Sequence, residues 1–398
     1  MKAVMYGGGN IGRGFIGMLF SRAGYNVTFV DVAVPVVEAL HERGSYPVRI
    51  LGASGATDVM VENVDAVNGN DTAEVARRIA EADIMATAVG VNILKFIVPN
   101  LVAGLRLRFT QTDRPLNIII CENLNDANKI LERMLKEQLT EEERAIFDER
   151  VGLVEASIGR MVPVQTEEMR DGDPLRICVE TYGFLPVDKD GFKGEIPEIQ
   201  DMIPFSPFDY FVKRKLFVHN MGHACCAYLG ALKGYEYIWQ AIADPELYSI
   251  VQNAMEASAF ALSKKYGVEV EKIFLHIQDL LFRFSNAALQ DTCDRVGREP
   301  ARKLSADDRL IGSYRLCREL GIDNSYIALG IAAALHRYLT ENALPQTVGE
   351  AGKALEAISG ITSPAALRYY EMLCQGASLS ELRAAAEKDR HTALGSVV

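Results

Sequence analysis

The 398-residue chain has no long apolar run, no excess of positive charge and no regular spacing of cysteine. No stretch approaches the ~20 consecutive apolar residues that a membrane-spanning helix needs, so a bilayer protein is not expected. The formal net charge is −11, and an acidic surface repels nucleic acid and anionic lipid. A local basic pocket for a small anion stays compatible with it. The seven cysteines (Cys121, Cys178, Cys225, Cys226, Cys293, Cys317 and Cys374) are odd in number and contain no C-x-x-C pair. A disulfide framework or a structural zinc site is therefore not expected. Reduced, buried thiols in a cytoplasmic protein are. The opening MKAVMYGGGN lacks the shape of a secretory signal, and neither an internal repeat nor a low-complexity segment is visible.

What is present is a balanced composition, 49% hydrophobic and 24% charged, which fits a globular fold. The length exceeds one ordinary core. The pattern predicts a Rossmann-type doubly wound α/β sheet domain over 1–195 and a mostly α-helical second domain over 196–398. In the first half, KAVMY (2–6), NVTFVD (26–31), IMATAV (84–89), LNIIICEN (116–123), VGLVEAS (151–157) and LRICVETYG (175–183) read as strands. Helical spacing falls between them at 72–83, 92–107 and 125–139. MVPVQTEEMRDGDP (161–174) reads as a polar connection. The segment 194–209 carries three prolines and cannot be one helix. Beyond Phe205 long helical patterns take over, and 387–398 reads as a frayed tail.

The first strand runs into GGGNIGRGF, with Gly7, Gly9 and Gly12 spaced G-x-G-x-x-G. Alone that spacing says little. After a strand and opening a helix, it is a dinucleotide signature. Gly7 permits the tight turn, Gly9 lets backbone approach a pyrophosphate, and Gly12 lets helix pack on strand. Asn10 and Ile11 open the helix, whose free N–H groups suit phosphate. Asp31 ends the second strand, where a carboxylate accepts from both ribose hydroxyls and repels a 2′-phosphate. NAD is thus expected over NADP. Gly90 lies at another strand end, on the edge where such sheets bind ligands.

The helical half holds KLFVHNMGH (215–223). On an α-helical wheel Asn220 lies about 140° from Lys215, and His223 about 80° from it, so all three share one broad side. Three readings are open. The residues are a surface lysine, a core histidine and an incidental asparagine. Or His219 and His223, spaced i, i+4, are metal ligands, although no glutamate follows His219 and no third ligand stands out. Or the lysine, its pKa lowered in a dry cleft, takes a hydroxyl proton during oxidation of an alcohol by NAD.

The pieces GGGNIGRGFIG (7–17), TAVG (87–90), CEN (121–123), KLFVHNMGHACCAYLG (215–230) and RVGREPARKLSADDRLIG (295–312) lie in order along most of the chain. With its K-x-x-x-x-N-x-x-H pattern, the chain resembles the polyol-specific long-chain dehydrogenases. The resemblance implies zinc-independent, NAD-dependent interconversion of mannitol 1-phosphate and fructose 6-phosphate, with no metal ligand. It implies Lys215 as general acid/base, Asn220 and Asn123 as the oxyanion-stabilising pair, and His223 as the group that orients substrate. It also implies a small-molecule sugar phosphate as partner, and leaves the oligomeric state open. Where that family commonly has D-R-I-x-P, this chain has Gly159-Arg160-Met161-Val162-Pro163. A phosphate end needs cations, and Arg295, Arg298, Arg302 and Lys303 form a basic run. Equally, that run reads as a solvated face paired with Glu299, Asp307 and Asp308. A uronate or an uncharged polyol is the alternative substrate. A non-catalytic NAD-binding regulator would have no use for Lys215, Asn220 and His223 together.

Overall fold

The computed structural model describes residues 1–52, 55–124 and 126–395. The chain divides into two compact units, Met1–Asp209 and Tyr210–Val398, so the proline-bearing segment 194–209 closes the first.

The strands of the first unit are β1 (Lys2–Tyr6), β2 (Asn26–Asp31), β3 (Ser45–Gly52), β4 (Gly55–Glu62), β5 (Val64–Asn68), β6 (Ile84–Thr87), β7 (Leu116–Ile120), β8 (Val151–Glu155), β9 (Ile177–Glu180), β10 (Leu185–Asp188) and β11 (Met202–Phe205). Six of them form a parallel sheet in the order β5-β2-β1-β6-β7-β8. Progression reverses between β1 and β6, and the crevice at such a switch point is where open α/β sheets bind ligands. Successive side chains point to opposite faces. Ala3 and Met5 pack into one apolar layer with Phe15, Ile16 and Phe29, while Val4 and Tyr6 pack into another with Met85, Ile118 and Ile120. Both faces are covered, which is why these strands read as unbroken apolar runs.

Five strands, β3 to β5 with β10 and β11, lie where the sequence showed none. Gly55, Ala56, Thr57 and Asp58 are all exposed, so β4 has no alternation to detect and is held by its antiparallel ladder to β3. The expected strand at 175–183 is β9, and it belongs to a second, three-stranded sheet, β4-β3-β9. The helix expected over 125–139 spans Ala127–Gln138, and Asn125 lies outside the described residues.

The second unit is helical. Asp209–Arg214 is α-helical, Lys215–Asn220 is a π-helical turn, and Met221–Leu232 is α-helical again. The last of these is its buried axis. Helices Pro245–Tyr266, Arg309–Glu319 and Ser325–Glu341 pack around it. Small residues permit the approach: a Cβ on Gly330 would meet the Cys225 Sγ at 2.2 Å, and one on Gly222 would meet the Met255 Sδ at 2.5 Å. The tail is not frayed over its described part. Leu379–Gly395 is a helix that buries Leu382 and Ala386 and receives a hydrogen bond from Tyr326 Oη to Glu387 at 2.5 Å. Residues 396–398 lie outside the described part. Among the described residues no helix is long and apolar enough to cross a membrane. All seven cysteines are free, and six are buried.

Candidate active site

In the first unit the glycine loop leaves β1 at the switch point. Gly7 has φ +106°, and a Cβ there would stand 2.5 Å from the Ala88 carbonyl oxygen. A Cβ on Gly12 would stand 1.9 Å from the Gly7 carbonyl oxygen. At Gly9 a Cβ meets nothing within 4 Å, and both Gly9 and Asn10 are exposed. Two glycines are therefore required by the fold, and the third leaves backbone open to a ligand. Ile11 is half-buried behind them. The helix that follows passes through a π turn, Gly12–Ile16, before becoming α-helical.

Asp31 does more than wait for a ribose. Its Oδ2 accepts the Gly8 N–H at 2.6 Å and its Oδ1 accepts the Ala33 N–H at 2.9 Å. Each carboxylate oxygen keeps a second lone pair, so the loop is held and hydroxyl groups can still be received. Arg13, buried beneath the loop, donates from Nε to the Gly8 carbonyl at 2.6 Å and from Nη1 to the Leu175 carbonyl at 2.5 Å. Burial lowers its pKa. Arg160 donates to the Gly14 carbonyl at 2.9 Å, with its guanidinium over the Phe15 ring. A Cβ on the preceding Gly159 would come 3.1 Å from the Tyr182 ring.

At the end of β6, Gly90 has φ +92° and open space where a Cβ would be. The buried Glu122 carboxylate, just past β7, accepts the N–H groups of Val89 at 3.0 Å and Gly90 at 2.8 Å. It thereby fixes the backbone beyond β6. Glu122 stood in the sequence only within the CEN piece (121–123), and Arg13 was not singled out there. Asn123 follows Glu122 on the exposed loop after β7. The open Gly9 backbone, the two-handed Asp31 and the pinned Gly90 together fit a dinucleotide.

In the second unit, Lys215 and Asn220 are the first and last residues of the π turn. The α-helical wheel therefore does not hold here. An i→i+5 turn is wider than an α turn and brings positions five apart close to one line, and such turns are frequent at functional sites. Lys215 is half-buried, and among the described residues it has no acid partner and no hydrogen bond. Burial, with help from the charge of Arg309, lowers its pKa from 10.5 to about 8. The half-buried Asn220 amide is likewise uncommitted among the described residues. His219 is buried, and desolvation followed by the charge of Arg283 pushes its pKa well down. His276 is pushed down in the same way, with Arg214 and Arg283 contributing. His223 stacks on Phe284 with centroids 4.7 Å apart and planes at 14°. Its Nε2 lies 3.2 Å from Asp291 Oδ2.

The basic run is internally committed. Arg295 pairs with Asp291 at 2.5 Å, Arg302 with Glu299 at 3.0 Å, and Arg298 with Asp294 at 3.9 Å. Lys303 is buried and donates to the carbonyls of Val296, at 2.7 Å, and Arg298. The cation whose field reaches Lys215 is instead Arg309, at the start of helix Arg309–Glu319. That helix packs on the π turn, with Gly312 against the Phe217 ring. Arg309 lies inside the matched sequence block, but nothing in the pattern distinguished it from its basic neighbours. Among the described residues no three His, Cys, Asp or Glu side chains gather to hold a metal ion. A lysine that is half neutral near pH 8, an uncommitted amide and an oriented imidazole form a set that can exchange a proton with a hydroxyl and hold the resulting oxyanion.

A family profile described as the mannitol dehydrogenase Rossmann domain matches residues 1–201, and one described as the mannitol dehydrogenase C-terminal domain matches residues 208–355. Among solved structures, a D-sorbitol dehydrogenase in substrate-free form is similar at 17% identity and a TM-score of 0.75, over 98% of this chain and 92% of that one. A Pseudomonas fluorescens mannitol 2-dehydrogenase, solved as a ternary complex with NAD and D-mannitol, is similar at 15% identity and a TM-score of 0.72, over 97% of this chain and 94% of that one. At these identities the likeness shows a shared fold.

Proposed function

The chain belongs to the mannitol dehydrogenase family of NAD-dependent polyol dehydrogenases, and on that premise we propose that it acts as a mannitol-1-phosphate 5-dehydrogenase, interconverting mannitol 1-phosphate and fructose 6-phosphate. NAD, held by Gly7, Gly9, Asn10, Ile11, Gly12, Asp31 and Gly90, supplies the hydride acceptor when bound. Lys215, rather than a metal-bound water, takes the hydroxyl proton in oxidation and returns it in reduction. Asn220 and Asn123 donate to the oxygen as negative charge develops on it. His223 fixes the orientation of the substrate hydroxyl.

The observation that carries this reading is Lys215 in its π turn, without an acid partner among the described residues and with a pKa lowered to about 8. A general base is most effective when its pKa lies close to ambient pH. The phosphorylated substrate is supported by the local sign of charge. Lys215, Arg309, Arg283 and Arg214 exert their fields on one another or on the same histidines, in a chain whose net charge is −11. The second reading is a neutral polyol. It is favoured by the internal pairing of Arg295, Arg298 and Arg302, which leaves less of the basic run for an anion.

The test follows NADH loss with fructose 6-phosphate, fructose and fructuronate in parallel, with a chelator present. Turnover of fructose 6-phosphate alone is the expected result. Preference for fructose or fructuronate moves the substrate and keeps the chemistry. Activity lost to the chelator removes the lysine mechanism.

A further inference from the structure

Asp291 lies outside the lysine–asparagine–histidine pattern, yet its carboxylate reaches two of the residues named above. Oδ2 is 3.2 Å from His223 Nε2, and Oδ1 accepts from Arg295 Nε at 2.7 Å and forms an ion pair with its Nη2 at 2.5 Å. The side chain is only 11% exposed. Its backbone is held too. The Asp291 carbonyl accepts the Ile238 N–H at 2.9 Å, and the neighbouring Thr292 Oγ1 accepts the Arg295 N–H at 3.1 Å, which starts the short helix carrying Arg295.

His223 is fixed from the other side by its stack on Phe284. Its Nε2 is buried and, among the described residues, has no aligned hydrogen-bond partner. A buried polar atom in that condition is costly and calls for an explanation. The Asp291 carboxylate is within reach but off-line, and hydrogen bonds of catalytic groups are often loose before substrate binds. An ionised carboxylate can only accept. Burial alone would raise the Asp291 pKa, but His223 and Arg295 hold it below the ordinary carboxylate value.

We propose that Asp291 is a positioning residue: it keeps His223 as the Nε2–H tautomer, so that Nδ1 is the acceptor presented to the substrate hydroxyl, and its second oxygen ties Arg295 to the same point. The inference rests on the dehydrogenase reading for what His223 does with substrate, but not for the tautomer itself.

The tautomer is read from nitrogen-15 spectra of the full chain labelled at histidine, with His223→Gln assigning the signal. The expected result is an Nε2–H ring at neutral pH in the wild type, and a mixture of tautomers in Asp291→Asn. An Nδ1–H ring in the wild type overturns the proposal whatever the variants do. In turnover, Asp291→Asn is expected to lower kcat about 100-fold with KM for NADH unchanged, and to cost nothing further in the His223→Gln background. Losses that multiply in the double variant overturn the proposal. If Asp291→Asn does not fold, Asp291→Glu keeps the charge and the expected tautomer. Because the spectrum needs no substrate, failure of every ketose would remove the proposed function while the tautomer still decides this inference.

Discussion

Replacing Lys215 by methionine is expected to make the protein more stable and inactive at once. The methionine fills much the same volume as the lysine stem and removes an ammonium that has no acid partner among the described residues. A fall in pKa from 10.5 to about 8 corresponds to about 3 kcal/mol, and partial solvent access discounts this to about 1–3 kcal/mol. The sign follows from proton binding. Below pH 8 both folded and unfolded chains carry the charge, and only the folded one is penalised for it. Between about 8 and 10.5 the unfolded chain binds more protons, so wild-type stability rises with pH. Above 10.5 the penalty is gone. Urea unfolding of both proteins without cofactor, at pH near 6.5 and again near 10.5, should show the methionine variant ahead by about 1–3 kcal/mol at the lower pH. The lead should vanish at the higher one. A variant less stable than wild type, or a difference that ignores pH, would refute the view of Lys215 as a desolvated free ammonium.

The same group sets the activity profile: kcat/KM for polyol oxidation should rise about tenfold per pH unit and level off near pH 8, with ketose reduction falling above that point. A limb near 10.5 would remove Lys215 as the base. Gly12→Ala places a methyl group 1.9 Å from the Gly7 carbonyl oxygen, and should weaken NADH binding, read by fluorescence titration, at least tenfold while lowering the melting temperature. Native affinity would show that the loop adjusts freely. Glu122→Ala leaves the Val89 and Gly90 N–H groups without their acceptor. It should cost about 1–3 kcal/mol and weaken NADH binding, and unchanged binding would mean that Gly90 plays no part in holding the cofactor.

The parallel sheet was readable because two covered faces demand unbroken apolar strands, and Gly7, Gly12 and Asp31 were readable because their steric and hydrogen-bonding needs are local. β4 was not, since its residues face solvent and its stability comes from pairing rather than burial. The pattern of Lys215, Asn220 and His223 was legible as a motif but not as geometry. The wheel assumed an α-helix, and the π turn is a property of backbone closure that no single residue type announces. Arg309, Asp291 and Glu122 escaped because each has its partners distant in sequence, at Lys215, at His223 and at Val89–Gly90 respectively.

The π turn also limits how this chain can change over generations. It holds one residue more than an α-helix would need to close its rings. Losing any residue between Lys215 and Asn220 would leave a perfectly acceptable helix, with the segment on one side turned by roughly 100° against the other. The later segment cannot turn, because Gly222 is locked on Met255 and Cys225 on Gly330. The lysine would swing away instead. A single codon deletion there would carry the lysine away from Asn220 and His223 and pull the buried Tyr210 and Phe211 from their packing, so the length of this stretch matters independently of its composition.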